Sequence, residues 1–219
     1  EYAYSYNMKG FVIGISGGID SAVTSTLAAK TGFDITCIEM PIHQNEKQVA
    51  RGKNHIKWLK KKFSNVQSLE IDLTQIYDDF ALKLPEKERN NKLALANTRS
   101  RIRMTTLYHL AQNRTSLVIG TGNKVEDFGI GFYTKYGDGG VDISPIADLL
   151  KSEVYSLAKE LGINKKIIAA PPTDGLWEEE KSDQDQIGAS YPELEWAMQF
   201  NGNYDTLSKR EKEILKIYT

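Results

Sequence analysis

Short apolar runs alternate with longer stretches of helical period along the first two-thirds of the chain, and this rhythm constrains the fold more than any other feature. Phe11–Ile15, Ile35–Met40, Val66–Ile71 and Leu117–Ile119 read as buried strands. Between them, Ser21–Lys30 (stopped by Gly32), Glu46–Phe63, Leu73–Leu84 and Leu93–Asn113 carry helical periodicity. Strand and helix in this order predict an α/β protein with a Rossmann-like, doubly wound, mostly parallel sheet and helices on both faces. A length of 219 residues suits one domain, 1–219, with a sizeable core. Ligands in such folds bind beyond the carboxyl ends of the strands, and the unusual loops Ser16–Ser21 and Thr121–Pro145 fall at those ends.

The charge balance narrows the partners. A formal net charge of −1 provides no general basic field, so nucleic acid is not an expected partner. An anionic ligand would have to be held by locally placed groups. The single cysteine, Cys37, excludes an internal disulfide, fits a reducing cytoplasm, and reads as a core thiol within the run Ile35–Met40. No segment approaches the roughly 20 apolar residues needed to span a bilayer, and no signal peptide is visible. The lysine-rich runs Lys57–Lys62 and Lys209–Lys216 read as solvated helix faces.

The stretch "GISGGIDSAV" (14–23) follows the first strand and opens the first long helix. Its glycines let backbone N–H groups approach an anion, and the helix adds its positive end. Ser16 and Ser21 add hydroxyl donors. Asp20 would repel a phosphate unless a divalent metal lies between them. On local grounds alone, the same residues serve equally as a helix start in which Asp20 or Ser21 caps the first turn. The stretch lacks the Gly-Lys-Ser/Thr ending of a Walker A loop and the spacing of a dinucleotide fingerprint. The later segment Gly131–Pro145, "GFYTKYGDGGVDISP", has four glycines and no helical or strand periodicity. Its aromatics, lysine and aspartates are a poor composition for disorder, so it reads as functional and as a candidate mobile lid.

Ser16-Gly17-Gly18-Ile19-Asp20-Ser21 resembles the pyrophosphate loop of the ATP pyrophosphatases, S-G-G-x-D-S. Four more stretches, "NTRSRIRMTTLY" (97–108), "VIGTGNKVE" (118–126), "FYTKYGDGGVDISPIADLLKSEVY" (132–155) and "PPTDGLW" (171–177), are similar to the NAD synthetase family. The resemblance implies an adenine nucleotide alpha hydrolase-like fold and an ATP-driven amidation of deamido-NAD by ammonia. The reaction passes through an adenylated dinucleotide and releases AMP and pyrophosphate. It further implies Mg2+ as cofactor, ATP as co-substrate and a homodimer.

Carried over position by position, the resemblance assigns Gly14, Ile15, Ser16, Gly17, Gly18, Ile19, Asp20 and Ser21 to ATP, with Thr121, Lys151 and Thr173. It assigns Asp20 and Glu126 to the metal, and Arg101, Lys135 and Asp142 to deamido-NAD, Lys135 reaching across a dimer interface. Asp138 falls at the ammonium site and, with Lys151, is a candidate catalytic residue. Plainer readings exist for each of these. Glu126 can be a solvated glutamate, Thr121 a turn hydroxyl, Asp138 a turn residue, and "PPT" around Thr173 a rigid turn. Lys151 falls in the first turn of the helix pattern Leu149–Leu161, where a cation opposes the helix dipole. Arg101 shares a stripe with Met104, Leu107, Tyr108 and Ala111, where an arginine can snorkel. Arg99 is expected to face away, and no role is read for Arg103.

The chain departs from the family in lacking a basic His-Lys-Arg type tail after "EKEILKIYT", in a less acidic "KSDQDQIG" (181–188), and in having only Glu1–Lys9 before the first strand. No glutamine-hydrolysing region precedes that strand, so free or separately delivered ammonia is the expected nitrogen source. Two other functions are weighed: an ATP pyrophosphatase acting on another acceptor such as a tRNA base, and a non-catalytic nucleotide-binding module. Absent zinc-ligand spacing and basic patches speak against the first, and the retained Asp20 and Glu126 against the second.

Overall fold

The computed structural model describes residues 1–173, 175–176 and 182–219. Four strands, β1 (Gly10–Gly14), β2 (Asp34–Glu39), β3 (Val66–Glu70) and β4 (Ser116–Val118), form one parallel sheet in the order β3-β2-β1-β4. Each lies within a residue or so of the run that the sequence marks as a strand.

Helices α1 (Tyr2–Ser5), α2 (Ile19–Lys30), α3 (Glu46–Lys62), α4 (Thr74–Lys83) and α5 (Lys92–Arg114) accompany the strands. Later come α6 (Lys151–Glu160), α7 (Lys165–Ile168), α8 (Asp183–Ile187), α9 (Tyr191–Gln199) and α10 (Lys209–Tyr218).

Period-two alternation explains why both faces of the sheet are covered. Phe11, Ile13, Ile35, Cys37, Val66 and Leu117 face one way and pack with Ala28 and Ala29 of α2 and Ile56 and Leu59 of α3. Val12, Ile38 and Val118 face the other way and meet Tyr77 of α4 and Ala111 of α5. Cys37 is fully buried, and its thiol is pushed up to about 12, mainly by burial. It is the core thiol expected. Helix α2 is covered on its far side as well, through Ile19, Ala22 and Val23 against Val154 and Ala158 of α6 and Ile167 of α7.

Two local findings change the expectations for Thr121–Pro145. A π-helical turn spans Lys124–Ile130, capped by the Asn123 side chain, which accepts from the Val125 and Glu126 N–H groups. Ile143 pairs beside Ile119, extending the sheet edge. The segment proposed as a mobile lid is also tied down. Ser100 and Asp138 exchange two hydrogen bonds, at 2.6 and 2.8 Å, and the Thr134 hydroxyl donates to Asn97 Oδ1 at 2.8 Å. Any lid motion has to break these. Gly137 sits against Ser100 so closely that a Cβ would collide with its hydroxyl. Among the described residues, no helix is long and apolar enough to cross a membrane.

Candidate active site

At the carboxyl edge of the sheet, a cavity of about 530 Å3 opens between the ends of β1, β2 and β4 and one face of α5. That volume lies in the range of small-molecule sites. Its floor is the loop after β1. Gly17 takes a φ of +80°, and a Cβ there would strike the Gln48 carbonyl of α3, so the loop can run this tightly only with glycine. Gly18 is the N-cap of α2 and supplies no side chain.

Neither Asp20 nor Ser21 caps the helix, which removes the plainer reading of this stretch. The Ser21 hydroxyl instead donates to the Gly18 carbonyl at 3.1 Å and accepts from the Ser16 N–H at 3.3 Å. The Gly18 N–H donates to Ser16 Oγ at 3.2 Å. The first turn of a twelve-residue helix therefore faces the cavity with its dipole and N–H groups.

Above this end of α2 sits a buried ion cluster. Lys151, only 2% exposed, donates to Asp20 Oδ2 at 2.6 Å and Glu126 Oε1 at 2.8 Å. Burial alone would push its ammonium down. The Asp20 and Glu126 carboxylates override that and hold it well above the ordinary lysine range. Lys151 is the first residue of α6, as the sequence places it, and the two carboxylates answer the dipole conflict noted there.

Asn123 donates to Asp20 Oδ1 at 3.0 Å. The Tyr191 hydroxyl lies 2.6 Å from Glu126 Oε1 and 2.8 Å from Asp183 Oδ2, with its ring 4.6 Å from the Lys151 ammonium. Two carboxylate oxygens converging on one cation suit a hard, oxygen-seeking ion. Among the described residues, no group of three or more His, Cys, Asp or Glu side chains is arranged to hold a metal. Asp20 and Glu126, which share the Lys151 ammonium, are the two carboxylates at this edge whose chemistry would fit a hard divalent ion.

The structure gathers most of the candidate residues and separates a few. Gly14, Ile15, Ser16, Gly18, Ile19, Asp20, Ser21, Thr121, Glu126, Asp138, Lys151 and Thr173 all line the cavity, with Gly17 just beneath it. Asp174 and Trp177 of "PPTDGLW" and Lys181 of "KSDQDQIG" lie outside the described residues. Arg101, Lys135 and Asp142 do not line the cavity. They are exposed on the outer side of α5, where Arg101 donates to the Lys135 carbonyl at 3.2 Å and Asp142 accepts from Tyr108 at 3.1 Å.

The phase assigned to α5 needs correction. The cavity face carries Ala96, Ser100, Arg103, Met104 and Leu107; Arg99 does not line the cavity, as expected, but is only 3% exposed. Arg99 donates to the Leu176 carbonyl at 2.9 Å and lies 4.7 Å from the Tyr77 ring centre. Arg103, for which no role was read, donates to the Met40 carbonyl at 3.0 Å and to Gln44 Oε1 at 2.7 Å. Sequence reasoning also missed Asp127. This cavity-lining carboxyl is pushed up to about 6 by burial, then by the neighbouring Glu126, Asp138 and Asp20 carboxylates. A strict 3.6-residue count from Ala96 finds Arg103. No local signal finds Tyr191.

The family model for NAD synthase matches residues 1–217. The chain belongs to that family. It is 37% identical over 213 residues to the NH(3)-dependent NAD(+) synthetase of Mesoplasma florum, covering 96% of this chain and 84% of that one. Among solved structures, it resembles the NMN synthetase of Francisella tularensis, with a TM-score of 0.86 and 32% identity, covering 98% of this chain and 85% of that one. It also resembles the NH3-dependent NAD synthetase of Campylobacter jejuni in complex with the nitrate ion, with a TM-score of 0.78 and 28% identity, covering 99% and 86%. As a member of the NAD synthase family, the chain has the adenine nucleotide alpha hydrolase-like α/β fold that its motifs imply.

Proposed function

We propose that this chain is an ammonia-dependent NAD synthetase, a ligase that amidates deamido-NAD at the expense of ATP. The observation that carries this reading is the convergence of Lys151, Asp20 and Glu126 at the open N-terminus of α2. That arrangement puts a helix dipole, backbone donors and a buried cation where a triphosphate would lie.

In this reading, an oxygen of the nicotinate carboxylate attacks the α-phosphorus of ATP, and the bond to the pyrophosphate oxygen breaks. The nitrogen of ammonia then bonds to the acyl carbon, AMP leaves with the mixed-anhydride oxygen, and a proton is released. The loop Gly14–Ser21, with Thr121 and Thr173, holds and orients ATP. Lys151 offsets charge on the phosphates. Asp20 and Glu126 are the residues that would hold Mg2+, which would neutralise phosphate charge when bound. Asp138, fixed by Ser100 and the Thr134 N–H, binds ammonium and accepts its proton. Arg101, Lys135 and Asp142 lie outside the cavity; in this reading, which here follows the family resemblance, they serve deamido-NAD in a homodimer in which Lys135 reaches the partner's site.

A second reading changes only the acceptor. The likeness to the Francisella protein, at a TM-score of 0.86, favours nicotinate mononucleotide in place of the dinucleotide. One assay separates the two: ATP, magnesium and ammonium chloride are incubated with either deamido-NAD or nicotinate mononucleotide, and products are read by mass spectrometry. NAD, AMP and pyrophosphate appearing together, faster than the corresponding mononucleotide products, is the expected result. Amide formation on the mononucleotide alone moves the acceptor, and no ATP cleavage with either overturns the proposal.

A further inference from the structure

The two oxygens of Glu126 are held unequally. Lys151 donates to Oε1 at 2.8 Å, and the Tyr191 hydroxyl donates to the same oxygen at 2.6 Å. Asp20, the other carboxylate of the cluster, has both oxygens engaged, Oδ1 by Asn123 at 3.0 Å and Oδ2 by Lys151 at 2.6 Å. Glu126 Oε2 is therefore the one carboxylate oxygen of this pair with no hydrogen bond among the described residues. Glu126 lines the cavity, and its side chain keeps 15% of its surface exposed.

Tyr191 reaches this cluster from the C-terminal helices and is itself anchored. It is the first residue of α9, next to the N-cap Ser190, whose N–H and hydroxyl each donate to Glu193 at 2.8 Å. Its side chain packs against the apolar cluster of Val125, Leu194 and Ala197. Asp183 Oδ2 lies 2.8 Å from the same hydroxyl, but a tyrosine has one proton to donate, and Glu126 is the nearer acceptor. The terminal torsion of a glutamate is soft and roughly two-fold. A single donor leaves the carboxylate free to swing about that contact. Two donors on one oxygen, arriving from α6 and α9, fix which oxygen stays unbonded.

We infer that Tyr191 is a positioning residue for Glu126: with Lys151 it holds Oε1, and so leaves Oε2 as the oxygen that Glu126 offers to a divalent cation. The inference rests on the reading of this site as one for ATP and Mg2+, and deepens it. Partners that orient a ligating side chain without touching the metal are worth about 10–100-fold in metal affinity or activity.

Tyr191→Phe removes the hydroxyl and keeps the ring, with its packing and its place 4.6 Å from the Lys151 ammonium. The experiment measures binding of Mn2+, a paramagnetic stand-in for Mg2+, to the full chain with α,β-methylene-ATP, read from the electron paramagnetic resonance of the free ion. The variant should bind Mn2+ about tenfold more weakly than the wild type, or worse. Its affinity for the analogue without metal should match the wild type, which also shows that it is folded. In a Glu126→Gln background the same replacement should cost less than about twofold, because its effect passes through Glu126. Equal Mn2+ affinity in Tyr191→Phe and the wild type overturns the inference. An undiminished loss in the Glu126→Gln background also overturns it, as does weakened metal-free binding of the analogue, since either makes Tyr191 a general support of the cavity. If the wild type binds neither the analogue nor Mn2+, the underlying reading of the site falls, and this inference with it.

Discussion

In the α9–α10 pair, Glu193 accepts from the Ser190 N–H at 2.8 Å and from Arg210 Nε and Nη2 at 2.8 and 3.0 Å. At the carboxyl edge of the sheet, Glu39 and Asp127 accept from no donor among the described residues, although both are at least partly buried. The same functional group thus meets opposite treatment in two layers of one chain. Hydrogen bonds from Arg210 and Ser190 hold the Glu193 carboxyl down at about 2, whereas burial and neighbouring carboxylates push Asp127 up to about 6. A layer built for stability supplies each carboxylate with donors. A layer built to receive a ligand leaves acceptors and one shared cation in place and tolerates the cost.

The largest test of this contrast is Lys151→Met. Removing the cation strands Asp20 and Glu126 against each other at the mouth of α2. Turnover should fall on the order of 1,000-fold, and folding stability should drop by about 3 kcal/mol, read by steady-state assay and denaturant titration. If activity vanished while stability held, the cluster would be purely catalytic; if both held, the comparison would break.

Asp127→Asn should act in the other direction on stability. A carboxyl raised from 3.8 to about 6 binds more protons folded than unfolded across that window, so stability declines as pH rises through it. The variant should therefore melt higher than wild type at pH 7, with the gain fading by about pH 4, measured by differential scanning fluorimetry. A variant that melts lower at pH 7 would place Asp127 among the satisfied carboxylates.

Arg210→Ala is the smallest expected effect. The pair with Glu193 is 50% and 33% exposed on its two sides, so its loss should lower the melting temperature only slightly. The depressed Glu193 carboxyl contributes stability above the ordinary glutamate range and loses it as pH falls towards 2, so the deficit should shrink in acid. Melting curves at pH 7 and pH 3 check the sign.

How far the sequence foretold this arrangement differs between the same two layers. The middle of the sheet was legible because buried parallel strands are continuous apolar runs, as Phe11–Ile15 is. The Gly14–Ser21 loop was legible because its requirements are local: a positive φ at Gly17 and an uncapped helix start at Gly18. Helix α5 was not. It packs against the sheet on one side and lines the cavity on another, so apolar residues fall on several faces and its arginines lose their phase. Arg99 is held by Leu176 and Tyr77, partners 77 and 22 residues away, and no window of sequence reveals that. The Tyr191 hydroxyl joins Glu126 across 65 residues and was hidden for the same reason.

Cys37 sits in the middle of β2 with no exposed surface and a thiol that ionises only near pH 12. A thiol reagent can meet it only in molecules whose central sheet has opened, since reaction requires an accessible thiolate. The chain therefore carries its own clock for unfolding. The labelling rate of this one sulfur reports how often the β1–β2–β3 core comes apart, and any slowing on adding nucleotide gives the grip of the cavity on the sheet beneath it.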